Sequence, residues 1–414
     1  MNTQNRLTSL EKKWVLYDVA NSAFTLLVST ILPLYFGILA TDGGLSDVDY
    51  LAYWGYSISI STLLVAVSGP LMGAFADRKG HKKPLFLMTI ILGAAGCLAL
   101  GLTSKWFIFL IVFVIARTGY SLSLVIYDSM LPDVTTEDRM DSVSSNGYAW
   151  GYIGSCIPFT LCLLMILGAD KIGLTQKNAM IIAFFVIAAW WIFISLPLIR
   201  AYKQKFFIAE RETKAEGVFA QLFRTMNEMV KNKRILFFLL AFFFYIDGVY
   251  TIIDMSTAYG SALGLSSTDL LLALLVTQIV AFPSALIMGK LSGRFPSENL
   301  ITICISAYFC IAVFAYFLAH AWQFWVLAIC VGMFQGGIQA LSRSYFTKII
   351  PPEKSGEYFG FLDICGKGAA FIGTIVMSAV SQITGSINLG VLPIACFFLI
   401  GIFLFRSSIR AKNT

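Results

Sequence analysis

The chain has 414 residues, of which 58% are apolar and only 13% are charged. Soluble proteins of this length carry about twice that share of charged residues, so the composition excludes a cytosolic enzyme and a secreted scaffold. The net charge of +7 comes mainly from basic residues in short segments between apolar stretches, a pattern that indicates membrane topology rather than a nucleic-acid partner. The sequence therefore predicts an all-α integral membrane protein.

Apolar stretches long enough to cross a bilayer, about 20 residues each, occur twelve times. We number these predicted helices as spans 1 to 12 in chain order. Their approximate ranges are 14–39, 53–76, 84–103, 106–130, 143–168, 179–200, 235–259, 268–289, 299–319, 322–346, 357–383 and 387–407. Too few residues remain for a sizeable soluble domain.

The basic residues predict the orientation of these helices. If the N-terminus is cytoplasmic, 25 Lys and Arg residues lie on the cytoplasmic side and only Lys105, Lys171 and Lys177 lie on the other. Under the positive-inside rule, both termini are then cytoplasmic. The first apolar helix follows the N-terminus without a small-residue cleavage site, so we expect no cleaved signal peptide.

The longest polar stretch, 201–234, divides the chain into two sets of six spans. We expect an N-terminal six-helix bundle in 1–200, a cytoplasmic linker in 201–234 and a C-terminal six-helix bundle in 235–414. Apolar residues recur at helical spacing in the linker, which predicts an amphipathic helix on the inner leaflet; they are Phe219, Leu222, Phe223, Met226, Met229 and Val230. The simpler interpretation is a solvated connection between the halves.

An internal repeat supports two pseudo-symmetric halves. Gly73 and Arg78, after span 2, correspond to Gly289 and Arg294, after span 8, by the same offset of 216 residues. The second copy has Gly293 where the first has Asp77. Such repeats are common in secondary transporters, which bind substrate between the halves near the bilayer midplane.

The connection between spans 2 and 3 closely resembles the signature of the major facilitator superfamily, except that His81 stands where that family usually has Arg. The matching residues are Gly73, Asp77, Arg78, Gly80, Lys82 and Lys83. Independently of the resemblance, Gly73 predicts a close approach between two helices, and Gly80 predicts a tight turn. Asp77 is expected either to pair with Arg78 or to face the positive N-terminal end of another helix. We expect these residues, with Arg343, to control gating.

A narrower resemblance covers nearly the whole chain. Three motifs are similar to the "unknown major facilitator" branch, which includes the yeast autophagy-linked vacuolar amino-acid effluxer; they are Tyr17-Asp18-x-Ala20-Asn21-Ser22-Ala23, Tyr245-x-Asp247-Gly248-Val249 and Gly336-Gly337-x-Gln339-Ala340-Leu341-Ser342-Arg343-Ser344. The resemblance implies a secondary transporter, with efflux of neutral amino acids as the best-known activity.

Ionisable residues inside apolar spans are costly, so each is a candidate for binding substrate or protons. They are Asp18, Arg117, Asp247, Asp254, Asp363 and Lys367. Asp363 and Lys367 are four residues apart and are expected to form an ion pair, which is either functional or only orients span 11. Arg117 with Gly119 resembles the Arg-x-x-x-Gly pattern of proton-coupled members of the superfamily, although the spacing of the glycine differs. The alternative is that Arg117 is the counter-charge of Asp18 or Asp247. Asp247, near the midplane, is the leading candidate for proton coupling.

Uncharged polar residues complete the predicted cavity. Gln278, Gln335 and Gln339 either bind an amino acid or only join helices by hydrogen bonds. Asn21, Tyr17 and Tyr245 stand beside the predicted acids. Four tryptophans near predicted helix ends are expected to lie at the membrane interface; they are Trp14, Trp54, Trp106 and Trp322.

No enzyme motif is present in the sequence. The two histidines, His81 and His320, fall in loops predicted on opposite sides, and no phosphate-binding Gly-rich motif occurs. We expect no cofactor and no metal. The sequence favours a monomeric bacterial plasma-membrane transporter of a small solute by alternating access, with protons as the candidate coupling ion. The alternatives are a flippase for lipids, lysolipids or other amphipathic molecules, and a nutrient sensor that transports nothing.

Overall fold

The computed structural model describes residues 6–208, 217–262, 266–318 and 320–411. In these residues it has twelve helices that are long and apolar enough to cross a membrane, as the sequence predicts. Span 1 is broken at Thr30 into Ser9–Ser29 and Ile31–Asp42. The other spans are Asp47–Ala76, Lys82–Leu100, Trp106–Ser129, Met140–Leu167, Gln176–Ala201, Lys233–Ala262, Ser267–Leu291, Ser297–Tyr316, Ala321–Ile349, Ser355–Thr384 and Ile387–Arg410.

Local sequence signals set several helix ends. Thr8 and Glu11 form a capping box at the start of span 1, and Ser266 caps span 8 by accepting a bond from the Asp269 amide. Such caps satisfy amide groups that the first helical turn leaves without partners. Gly80 has a φ of +76°, which allows the tight turn between spans 2 and 3 that the sequence predicts.

Both chain ends lie at the same end of the bundle, which we call the terminal face. At this face, contacts join the first and the last span to other parts of the chain. Arg139 pairs with Glu11 near the start of span 1, and Ser408 near the end of span 12 donates to the Arg234 carbonyl oxygen. The linker contributes an α-helix, Val218–Lys231, which we call the linker helix.

Buried apolar side chains form two clusters. One extends from Trp14 to Tyr202, and the other from Met229 to Phe405, with Val125 of span 4 added to the second. We call the chain up to span 6 the N-half and the chain from span 7 onward the C-half. The halves meet mainly where span 2 packs on span 11 and where span 5 packs on spans 8 and 10.

Glycines allow both of these contacts near the terminal face. A Cβ on Gly73 would overlap the carbonyl oxygen of Gly356 in span 11, and a Cβ on Gly289 would lie 2.6 Å from Cβ of Ser145 in span 5. The two glycines are the repeat-related pair found in the sequence. The repeat therefore places the same close approach on both sides of the boundary between the halves.

Candidate transport site and the closed terminal face

Arg343 of span 10 crosses from the C-half into the N-half and is almost fully buried there. Its Nη1 lies 2.9 Å from Oδ1 of Asp128, and its Nη2 lies 3.3 Å from Oδ2 of Asp18. Nε donates to the hydroxyl of Ser144, at 2.9 Å, and Nη2 donates to the carbonyl oxygen of the same residue. A guanidinium suits this position because its planar fork can serve several acceptors at once.

Aromatic rings cover the guanidinium on two sides. The ring of Tyr148 lies 4.3 Å from Cζ of Arg343 and the ring of Trp14 lies 4.6 Å from it. Trp14 is fully buried and stacks on Tyr127, so its predicted place at the membrane interface is wrong. Tyr127 in turn donates to Asp18, at 2.9 Å. The rings exclude water from the ion pairs and add cation–π attraction.

Asp77 forms a second connection between the halves. Its Oδ1 accepts from the amide of Gly356 at 2.8 Å, and its Oδ2 accepts from the amide of Glu357 at 2.9 Å. These amides belong to the first turn of span 11, where the helix dipole favours a negative charge. Of the two predicted partners of Asp77, the structure shows the helix end and not Arg78. Burial raises the pKa of Asp77 to about 7, although Lys82 and the two amides oppose the rise.

Lys82 lies beside Asp77 and is itself fully buried. Its Nζ is 3.6 Å from Asp77 and 3.5 Å from Asp133, and it donates to the hydroxyl of Ser355 in the C-half. Asp133 also accepts from the Tyr202 hydroxyl. Attraction between the ammonium and the two carboxylates offsets part of the cost of burying these charges.

A third connection joins spans 5, 9 and 10. Asp141 of span 5 lies 2.6 Å from Nζ of Lys348 and accepts hydrogen bonds from Ser297 and Ser344. Deeper in the bundle, Tyr152 of span 5 donates to Gln339 of span 10 at 2.8 Å. Tyr152 stands twelve residues into its helix, or about 18 Å at 1.5 Å per residue. Polar contacts therefore close the terminal face over a considerable depth.

A cavity of about 100 Å³ lies in the C-half among spans 7 to 12. This volume is well above the ~10–15 Å³ that a single water molecule needs on this measure. Its wall is mostly aliphatic and includes Phe324 and Met377. The polar lining residues are Thr251, Ser256, Tyr259, Thr277, Gln278 and Gln335. Oε1 of Gln278 is buried and, in the described part of the chain, has no hydrogen-bond partner.

Asp247 lies one helical turn before the lining residue Thr251. Its Oδ1 accepts from the Thr251 hydroxyl at 3.2 Å and from the amide of Gly373 in span 11 at 3.1 Å. The side chain is fully buried, and no described residue forms a hydrogen bond with its Oδ2. The predicted pairing of Arg117 with Asp18 or Asp247 is wrong, because Arg117 donates to the Ile58 carbonyl oxygen within the N-half.

Three other predicted site residues are buried away from this cavity. Tyr17 bonds to Ser123, Tyr245 bonds to Ser342, and Asn21 donates to the carbonyl oxygen of Tyr17 in its own helix. Tyr17 and Tyr245 join helices, and none of the three side chains lines the cavity. Asp254 belongs to span 7, but its side chain lies outside the described residues.

The remaining predicted residues divide between the site and its surroundings. Asp363 and Lys367 form the expected ion pair, at 2.6 Å, and both are partly buried. Gln335 lines the cavity, whereas Gln339 joins the halves. Near the terminal face, Arg78 packs its guanidinium on Phe75. Gly80 donates to Gln204 of the linker.

Sequence reasoning missed several residues that close the terminal face. Asp128, Asp133, Asp141 and Lys348 stand near predicted span ends, where charged residues are ordinarily exposed. Lys82 was predicted as part of the superfamily signature and of the basic loop, and not as a buried contact between the halves. One available signal was the dipeptide Tyr127-Asp128, which repeats the candidate pair Tyr17-Asp18 in another span.

Comparison with solved structures defines the class of protein. The fold is similar to that of the major facilitator superfamily transporter FucP in its outward conformation, with a TM-score of 0.73, 15% sequence identity and 97% of each chain covered. It is also similar to a bacterial homologue of the iron transporter ferroportin, with a TM-score of 0.68 and 13% identity over 98% of this chain and 99% of that one. The twelve spans and their arrangement are those of a major facilitator superfamily transporter.

Within that superfamily, the chain belongs to the family described as "Vacuole effluxer Atg22 like", whose model matches residues 9–140 and 135–413. It is 41% identical to the uncharacterized MFS-type transporter YxiO of Bacillus subtilis (strain 168), over 96% of this chain and 94% of the relative. It is 22% identical to autophagy-related protein 22 of Coccidioides immitis (strain RS), over 83% of this chain and 70% of the relative. The protein is a multi-pass membrane transporter and not an enzyme.

Proposed function

We propose that this transporter carries neutral amino acids by alternating access, as an effluxer coupled to protons, and that it works as a monomer in a bacterial plasma membrane. The observation that carries the proposal is the cavity beside Asp247, combined with the closed terminal face. Contacts between two halves that close one face of the bundle suit a mechanism in which the halves rock against each other, and the cavity in the C-half offers a candidate site for the solute.

The lining of the cavity supports the substrate class. Aliphatic side chains would surround an apolar amino-acid side chain, while Gln278, Gln335 and Thr251 offer amide and hydroxyl groups to its ammonium and carboxylate groups. No charged residue is among the described residues that line the cavity, which fits a substrate without net charge. The family description, "Vacuole effluxer Atg22 like", supports efflux, and the excess of basic residues supports a cytoplasmic terminal face.

Asp247 supports proton coupling. A buried carboxylate without a counter-charge is costly, and no ion pair to Asp247 occurs among the described residues. Asp247 also lies one turn from the cavity. If a proton neutralises Asp247 in one state of the transporter and leaves in the other, substrate movement and proton movement are linked.

The test is transport by the purified protein in proteoliposomes, with leucine, alanine, glutamate, lysine, a dipeptide and a lysolipid, each with and without a pH gradient. The proposal predicts transport of leucine or alanine that depends on the gradient. Transport of charged amino acids alone would contradict the substrate class, and neutral amino-acid transport that ignores the gradient would contradict the coupling. Retention of labelled leucine by cells with and without the protein tests the direction.

The predominantly aliphatic wall also favours a second candidate, an amphipathic substrate such as a lysolipid. Lysolipid movement without amino-acid movement in the same assay would support that candidate. Binding of an amino acid without movement of any solute would instead support a sensor.

A further inference from the structure

The linker helix, Val218–Lys231, presents three different faces. At about 100° per residue, Phe219, Phe223, Met226 and Val230 fall within an arc of about 60°. All four are exposed, Phe219 to 68% and Phe223 to 66%. We call these four residues the apolar stripe. A contiguous exposed stripe of this kind marks a surface that contacts something other than water.

A second face of the linker helix is buried against the transporter. It consists of Gln221, Thr225 and Met229, at intervals of four residues. Gln221 and Thr225 both donate hydrogen bonds to the buried carboxylate of Glu357, in the first turn of span 11. Beside them, Glu228 pairs with Lys354 at 2.6 Å. The linker helix therefore holds the beginning of span 11, the same turn whose amides bind Asp77.

The third face is polar and includes the exposed residue Lys231. The three faces point in directions roughly 110–130° apart by helical geometry. A helix that lies on a bilayer beside a protein needs three such faces, because one face contacts lipid, one contacts protein and one contacts water.

The position of the helix identifies which of these surroundings covers the stripe. Only Asn232 separates the end of the linker helix from the start of span 7, at Lys233. The linker helix also contacts spans 2, 7 and 11. It is consequently held at the level where span 2 ends and spans 7 and 11 begin.

From this geometry we infer that the apolar stripe inserts into the boundary between headgroups and acyl chains of the bilayer, and that this contact holds the terminal face closed through Glu357. The linker helix is thus a latch between the membrane surface and the N-terminal turn of span 11. The inference concerns the closed state and is independent of the substrate proposed above.

Fluorescence quenching in the full-length protein tests the lipid contact. An environment-sensitive probe is attached at Phe223→Cys or, as a control on the polar face, at Lys231→Cys, with the exposed Cys310 and Cys396 replaced by Ala. The protein is placed in vesicles of phosphatidylethanolamine and phosphatidylglycerol whose acyl chains carry a quencher. Quenching should be several-fold stronger at position 223 than at 231. Equal quenching at both positions would mean that protein or water, rather than lipid, covers the stripe. That result would overturn the inference.

Distances between spin labels at His81→Cys and Glu353→Cys, two exposed positions on opposite halves, test the latch. Without substrate, the double variant Phe219→Ser/Phe223→Ser should lengthen this distance, while Asn227→Ser should not. Thr225→Val, which removes one hydrogen bond to Glu357 and leaves the stripe intact, should lengthen it as well. Unchanged distances in both the stripe variant and the Thr225 variant would show that the helix does not hold the closed state.

Discussion

Gly73 in span 2 and Gly356 in span 11 lie so close that neither position has room for a side chain. A Cβ on Gly73 would overlap the carbonyl oxygen of Gly356, and a Cβ on Gly356 would lie 2.5 Å from the carbonyl oxygen of Gly73. The obstruction is backbone on both sides and cannot be relieved by a change of rotamer. Closure of the terminal face therefore depends on the absence of two methyl groups.

Gly73→Ala should shift the protein toward a state with an open terminal face. Overpacking of this kind costs about 1–3 kcal/mol, which changes the ratio of closed to open protein by a factor of about 5 to 150. The spin-label distance between positions 81 and 353 measures the shift. Gly55→Ala is the matched control, because a Cβ at Gly55 in the same span meets no atom within 4 Å. A similar change in both variants would contradict the steric explanation.

Arg343→Gln should destabilise the closed state strongly, since it leaves Asp18 and Asp128 buried without their cation. Removing one member of a buried ion pair typically costs about 3–5 kcal/mol. We expect a lower unfolding temperature in detergent and slower transport. Replacing both acids by Asn in the Arg343→Gln background should recover most of the stability. If the triple variant is no more stable than the single variant, the contribution of Arg343 is packing rather than charge.

The pH should affect closure through Asp77. In the open state its carboxyl meets water and keeps a pKa near 3.8, whereas in the closed state burial raises the pKa to about 7, with Lys82, Asp133 and Glu357 as neighbouring charges. Protonation of Asp77 therefore favours the closed state. This stabilisation is complete below about pH 4 and is lost as the pH rises through 7. Over that range, the ratio of closed to open protein falls by up to about tenfold per pH unit. Spin-label distances at pH 5 and pH 8 measure this effect. Asp77→Asn should fold and lose the pH dependence; an unchanged dependence would assign it to another group.

Asp247→Asn should abolish accumulation driven by a pH gradient and leave exchange of substrate across the membrane. The amide cannot carry a proton in one state and release it in the other. Asp42→Asn, at an exposed pair with Lys177, is the control and should leave accumulation unchanged. If accumulation in Asp247→Asn still follows the gradient, the coupling residue lies elsewhere, and Asp363 is the next to test.

Gln278→Leu should weaken substrate binding more than it slows turnover. The substitution keeps the approximate volume and removes an unpartnered acceptor in the cavity wall, where the loss of one hydrogen bond to substrate costs about 1–3 kcal/mol. The KM should therefore rise by about 5- to 150-fold in the liposome assay. Ile279→Val, at the neighbouring residue, whose side chain is half exposed, should leave the KM unchanged. A normal KM for Gln278→Leu would exclude this amide from substrate contact.

The twelve spans and the superfamily could be predicted because they depend on the length of apolar segments and on a local motif. The Asp363–Lys367 pair could also be predicted, since both residues lie on one helix. The partner of Asp18 could not be predicted in this way. It is Arg343, 325 positions along the chain, and only the packing of the two halves brings them together. Depth estimated along a helix likewise could not show that Tyr17 and Tyr245 face other helices rather than the cavity.

In each ion pair described between the halves, the acidic residue is on one half and the basic residue is on the other, always in the same order. Asp18, Asp128 and Asp141 belong to the N-half, and their partners Arg343 and Lys348 belong to the C-half. Two identical halves related by symmetry could not have this arrangement, because each would carry both the acids and the bases. The asymmetric distribution of charge at the closed face therefore arose as the two six-helix units diverged. As a result, each half is complementary to the other half and not to a second copy of itself.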